Sequence, residues 1–200
     1  MKKEQLAKMK RGDTIEFGNY TKDGSKIKEP IEWLLVKKEE NKVLIISKFG
    51  IDCKPYHEKY EKTSWKKCTL RSWLNGEFYS NAFTSEEKEM IEVTEVKEET
   101  KSFLGLLNTA NDKVFVLSVN EAKEYLPTDR SKQAEPTMHA MKNNAYQNTA
   151  TKACFWWLRS PGVGERREAL VDGEGIIDTR GDIAYSNNVA VRPAMWIKLK

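Results

Sequence analysis

Cysteine and histidine are scarce in this chain. The cysteines are Cys53, Cys68 and Cys154, and the histidines are His57 and His139. An odd, widely spaced set of cysteines excludes the disulfide framework that staples small secreted domains. A single bridge, Cys53 to Cys68, stays open. Zinc sites draw on two ligand pairs at short spacing. Cys53 and His57 make one such pair, no second pair follows, and His139 stands alone, so no metal site is expected. A Ser-His-Asp site has as little support, because a nucleophile needs a base beside it and no nucleophile elbow occurs. Also missing is any apolar run near the ~20 residues of a membrane helix. The basic start "MKKEQLAKMKRGD" lacks the apolar stretch of a signal peptide. A cytoplasmic location is the default expectation, with secretion open if a leader has been removed. No internal repeat or linker interrupts the chain.

An excess of one charge is lacking too. Thirty-four basic residues face 30 acidic ones, for a net charge of +4. Lysines alternate with glutamates, as in Glu95 to Thr100, which reads as a solvated surface. A nucleic-acid binder clusters its basic residues on one face, so no nucleic-acid partner is expected, and no cofactor motif is present. "GVGERREAL" is not a phosphate loop, since no Lys-Ser/Thr follows and no helix start is evident.

What remains is an aromatic and apolar complement of ordinary size, long enough at 200 residues to bury a core without staples. Leu6 and Met9 are three apart, and Gly12 follows as a stop, so "EQLAKMKRGD" reads as a short helix. "DTIEFGNY" alternates as a half-buried strand. "IEWLLV" and "KVLIIS" read as a hairpin across "KKEEN". Leu70, Trp73 and Leu74 share one helix face, with Asn75-Gly76 as a left-handed stop. Thr84 with Glu87, and Ser118 with Glu121, form capping boxes at two helix starts. "KVFVLS" reads as a short strand. Residues 127–153 read as a long loop, with one or two helical turns in "EPTMHAMKNN". From Cys154 onward the pattern is all strand: "CFWWL", "EALVD", "GIID", "DIAY" and "NVAVRPAMWIKL". The strands–helices–strands order predicts one α+β domain over residues 1–200, its core in 12–199. Antiparallel sheets are flanked by helices, and the chain ends share a sheet.

Oxygen-rich turns at Asp172, Glu174, Asp178 and Asp182 offer the donors that calcium wants. Their spacing lacks the EF-hand pattern, and Asp beside Gly serves hairpin turns for backbone reasons. Cys154, in an apolar strand, reads as inert packing. Pro193 cannot donate to a ladder and marks an edge, bulge or strand start. Arg192 before it needs a carboxylate or carbonyls to bind, and topology offers Glu168 or Asp172.

"CFWWLRSPG", Cys154 to Gly162, is the most informative stretch. Neighbours in a strand face opposite sides, so Trp156 and Trp157 cannot enter one core together. Packing of both, on opposite faces of a covered sheet, is the readier reading. The alternative is an aromatic platform on which Trp157 and Arg159 share a face.

These residues carry a resemblance. "PIEWLLV", "LIISKFGID", "LRSWLN", "FVLS", "WWLRSPG", "VDGEGII" and "AVRPAMWI", in this order, resemble a bacterial family known only as a domain of unknown function, over roughly Gly12 to Leu199. That family is similar, more distantly, to the C-type-lectin-like fold shared with formylglycine-generating enzymes. The resemblance implies chain ends joined in a sheet, flanking helices, and C-terminal strands and loops that display a variable surface. Activity does not carry over. The lectins' calcium site uses Glu-Pro-Asn and Trp-Asn-Asp, whereas this chain has Glu29-Pro30-Ile31 elsewhere and no Trp-Asn pair. The enzymes need a C-terminal cysteine pair, and only Cys154 lies in that half.

The expected function is a non-catalytic module that binds a protein or glycan. Its candidate surface is Trp157, Arg159 and Ser160, with the 161–168 loop, Tyr185 and Asn187. An enzyme with an unrecognised site, or a structural component of an assembly, are the alternatives.

Overall fold

Alternation builds the first sheet. The computed structural model describes residues 3–97 and 109–199. Helix α1 (Lys3–Lys8) leads into β1 (Thr14–Tyr20), which buries Ile15 and Phe17. The expected hairpin follows as β2 (Glu29–Lys38) and β3 (Lys42–Ser47). A short β4 (Asp52–Cys53) precedes the helical segment of α2 (Thr69–Trp73) and α3 (Tyr79–Ala82).

Asn75-Gly76 does not stop that segment. The chain continues through a π-helical turn, Leu74–Phe78, between α2 and α3. Leu74 and Phe78 are both buried, so ending the helix at residue 75 would expose Phe78. Asn75 works sideways instead. Its side-chain oxygen accepts from the amides of Lys113 and Val114, and its Nδ2 donates to the Arg71 and Val114 carbonyls.

Helix α4 (Ser85–Met90) and α5 (Val119–Tyr125) begin with the two expected capping boxes. Between them β5 (Thr94–Lys97) and β6 (Thr109–Asp112) form a separate two-stranded pair. Residues 98–108, including part of the Glu95–Thr100 charge run, lie outside the described residues. "KVFVLS" is not a strand of a sheet. Its β pairing among the described residues is one isolated bridge, Phe115 to Ala194, and the Leu117 carbonyl also accepts from the Arg159 amide at 2.9 Å. The 127–153 region contains α6 (Asp129–Lys132) and α7 (Met138–Lys142), the latter inside "EPTMHAMKNN".

The C-terminal part holds β7 (Trp156–Pro161), β8 (Arg167–Val171), β9 (Ile177–Ile183), β10 (Ala190–Val191) and β11 (Ala194–Lys198). "GIID" and "DIAY" merge into the single strand β9. "NVAVRPAMWIKL" divides at Arg192-Pro193, and its halves enter different sheets. The first sheet has the order β1-β2-β3-β11, antiparallel throughout, so the two ends of the chain meet in it. The second has the order β4-β10-β7-β8-β9. It is antiparallel except where β10 meets β7 through Ala190 and Trp156. The result is a single domain of mixed helix and strand, mostly sheet with short helices. Its core includes Trp33, Trp65, Trp156, Trp157, Tyr56 and Phe115.

Candidate functional site

The tryptophan strand is core on both faces. Trp156 and Trp157 are each 0% exposed. The Trp156 indole N–H donates to the Lys132 carbonyl at 3.0 Å, and the Trp157 N–H to the Lys54 carbonyl at 2.9 Å. Each buried indole thus satisfies its one donor. β7 lies in the middle of its sheet, and a register shift between Trp157 and Pro161 breaks strict alternation. Leu158, Arg159 and Ser160 are buried as well, because the strand is covered on both faces.

Arg159 (3% exposed) is a structural arginine. Its guanidinium grips Glu121 through two bonds of 2.5 and 2.6 Å, and also donates to the Val116 and Lys97 carbonyls at 2.8 and 3.1 Å. The Ser160 hydroxyl accepts from the Val119 amide at 2.8 Å. The structure therefore corrects the expected platform: Arg159 and Ser160 tie β7 to α5, Trp157 packs on Tyr56 and bonds to the Lys54 carbonyl, and all three are buried.

Arg192 takes carbonyls, not Glu168 or Asp172. It donates to Ser47 and Lys132 at 2.8 and 3.2 Å and lies over the Trp156 ring at 5.1 Å. Complete burial lowers it from its usual range to about 10, and it stays charged at neutral pH.

The cysteines are all free and buried, with no bridge from Cys53 to Cys68. Cys68 caps α2, and the Cys53 thiol donates to the Asn187 and Val189 carbonyls. Burial pushes Cys53 and Cys154 up to about 12, so neither is a thiolate at neutral pH. Asp172 accepts the Glu174 and Ile176 amides within its turn, and Asp178 and Asp182 accept the nearby Arg180 and Ile183 amides in β9. Among the described residues no group of three His, Cys, Asp or Glu side chains is placed to hold a metal ion.

His139 does not stand alone. It faces Asp52 at 3.5 Å in a polar hub that spacing could not reveal. Asp52 (2% exposed) accepts from the Tyr20 hydroxyl at 2.7 Å and the Asn143 amide at 2.8 Å, and Lys54 lies 3.9 Å away. Burial first, and the Asp52 charge second, raise the Tyr20 phenol far above its usual range. The phenol is held as a donor, and the hub clamps α7 to β4 and to the end of β1.

An exposed cluster does form where β7 gives way to its loop. Tyr60 and Tyr185 are 60% and 46% exposed, with rings edge-on at 5.1 Å. The Arg166 guanidinium covers the Tyr60 ring at 4.2 Å. Beside them lies a recess of about 220 Å³, lined by Tyr60, Val163, Gly164, Glu165, Arg166, Arg167 and Ile183. Gly164 turns the hairpin with φ +113°, a backbone that favours glycine. The His57 amide donates to the Ala184 carbonyl at 2.8 Å, which fixes the Tyr60 loop beside Tyr185. Of the expected surface residues, Tyr185 belongs to this cluster. Asn187 is exposed but is occupied by Asn144, which donates to it at 3.3 Å. Sequence reasoning misses Tyr60, and it reaches Arg166 only as an unnamed part of the 161–168 loop. Their only signal is an aromatic inside "PYHEKYEK" and a basic pair in the hairpin loop.

No curated protein and no solved structure matches the chain. One family model does match, over residues 40–199, a span that takes in β3 to β11, the Tyr60–Arg166–Tyr185 cluster and the Asp52–His139 pair. The chain therefore belongs to the family described as domain of unknown function (DUF6273).

Proposed function

We propose that this domain is a non-catalytic binding module. Its ligand, a protein or glycan, lies across the loop surface beside β7. The observation that carries this reading is the exposed pair Tyr60 and Tyr185 with Arg166 stacked on it, at the edge of the 220 Å³ recess. Tyrosine and arginine are the residue types that dominate binding surfaces. The flat ring of Tyr185 suits a sugar or peptide face, and the Arg166 and Arg167 forks suit acceptors on either. The fold rests on the same reading: a C-type-lectin-like arrangement, supported by chain ends joined in one sheet and a loop-bearing C-terminal half.

Glycan and peptide arrays probed with the purified domain test the proposal. Discrete ligands are expected, with signals falling about tenfold or more in Tyr60→Ala and Arg166→Ala. Both side chains are exposed, so melting curves should match the parent's. Undiminished array signals in both variants would sink the proposal.

A further inference from the structure

A larger groove lies elsewhere, where the back of β2 meets the end of α5 and the α6 segment. It encloses about 390 Å³, within the range of small-molecule sites and more than twice the volume of an apolar cavity that holds benzene. Leu34, Phe49, Leu126 and Ala134 line it, giving an apolar floor. Leu34 is only half-buried because it alternates with Trp33 and Leu35, which face the core.

The charged lining residues are unbalanced. Arg11, Lys48 and Arg130 are cations, and Glu135 is the one carboxylate in the lining. Lys48 is already held by Glu32 at 2.9 Å. Arg11 and Arg130 have no carboxylate partner among the described residues, yet both are oriented. Arg11 Nη2 donates to the Tyr125 and Glu124 carbonyls at 2.7 and 3.3 Å, and Arg130 Nη1 donates to Gln133 Oε1 at 2.8 Å. Each guanidinium has five donors, so anchoring leaves others for a ligand. Counted with Glu32, the partner of Lys48, three cations face two carboxylates, so one net positive charge remains above an apolar floor.

From this charge and shape we infer that the groove binds a small monocarboxylate with an apolar body, its carboxylate held by Arg11 and Arg130 and its body on Leu34, Phe49 and Leu126. A guanidinium fork matches a carboxylate in two parallel bonds. The single net charge favours a monoanion over a phosphate dianion. The groove is separate from the Tyr60 surface, so either site can fail without the other.

Calorimetric titration of the intact domain tests this with cinnamate and octanoate as probes. Saturable one-to-one binding is expected in the micromolar to low millimolar range. Cinnamyl alcohol, octanol and phenyl phosphate should each bind about tenfold more weakly. Arg130→Gln gives up a single side-chain bond, to Gln133. It should weaken cinnamate about tenfold with an unchanged melting curve. Arg11→Gln, which also gives up its bonds to the Glu124 and Tyr125 carbonyls, should weaken cinnamate by a similar factor, and Tyr60→Ala should leave the titration as it was. The inference is overturned by no saturable binding of either carboxylate, by equal binding of the alcohols, by tighter binding of phenyl phosphate, or by full affinity in both arginine variants.

Discussion

Arg159 shows how one residue can be misread at the level of type and spacing. An arginine two positions beyond a tryptophan, just before Ser-Pro-Gly, looks like a ligand fork. Its actual partner, Glu121, is 38 residues away in the chain and is also the closing residue of the α5 capping box. No local rule connects those positions. The burial of both indoles is legible, because tryptophans on opposite faces of a strand need only a sheet covered on each side. The register shift after Trp157 is not, since it depends on pairing with β8. A consequence at this scale is that Arg159→Met should destabilise the domain by about 3–5 kcal/mol, the usual cost of stranding one member of a buried ion pair. Urea denaturation measures it. Adding Glu121→Gln should recover part of the loss, since the stranded carboxylate is then neutral. A loss under about 1 kcal/mol in the single variant would place the pair among weak surface bridges.

At the scale of elements, features written in a few consecutive residues are readable. The capping boxes at Thr84 and Ser118 follow from a hydroxyl and a glutamate three residues apart. A third, at Thr128, escapes the pattern because Ser131 replaces the usual glutamate. The π-helical turn at Leu74–Phe78 is illegible, as its cause is the docking of Asn75 on residues 113–114. Elements also borrow from one another. Glu87 accepts from the Thr84 amide with one oxygen and from the Gly18 amide with the other, both at 2.9 Å. Gly18 sits at the register shift of β1 with φ +67°, and a Cβ there would come within 2.9 Å of the Ala82 carbonyl oxygen and closer still to the Phe83 ring. Gly18→Ala should therefore cost more stability than Thr84→Ala, whose loss is about 1 kcal/mol for a cap. A denaturant midpoint for Gly18→Ala at or above that of Thr84→Ala would contradict this packing.

At the scale of the whole molecule, the buried thiols and Tyr20 supply an alkaline-side pH response. Cys53 and Cys154 have ordinary values near 9, and each is held up to about 12 in the folded state. Tyr20 is raised above its ordinary 10. In each case burial favours the neutral form, so the folded state binds these protons more tightly than the unfolded chain does. Their contribution is complete below about pH 9 and is lost as pH climbs through the folded values. The urea midpoint should fall more steeply above pH 9 in the parent than in a Cys53→Ala/Cys154→Ala variant. Parallel curves for the two proteins would show that the thiols do not contribute. The overall architecture is more legible than the site. Strand and helix order determines which kind of domain forms, whereas Tyr60, Arg166 and Tyr185 meet only because three loops converge.

The position of β11 affects how this chain must be made. It pairs with β3 on one side, and on the other Ala194 and Ile197 bridge to Phe115 and Ile91. Until residue 198 is made, the β3 edge of the first sheet lacks its partner strand and the bridges to Ile91 and Phe115 are incomplete. Until then the sheet begun at Thr14 stays open along β3. Such long-range closure is slow, and an unpaired strand edge invites pairing with a neighbour. The strand farthest along the chain is therefore the one that closes the first sheet.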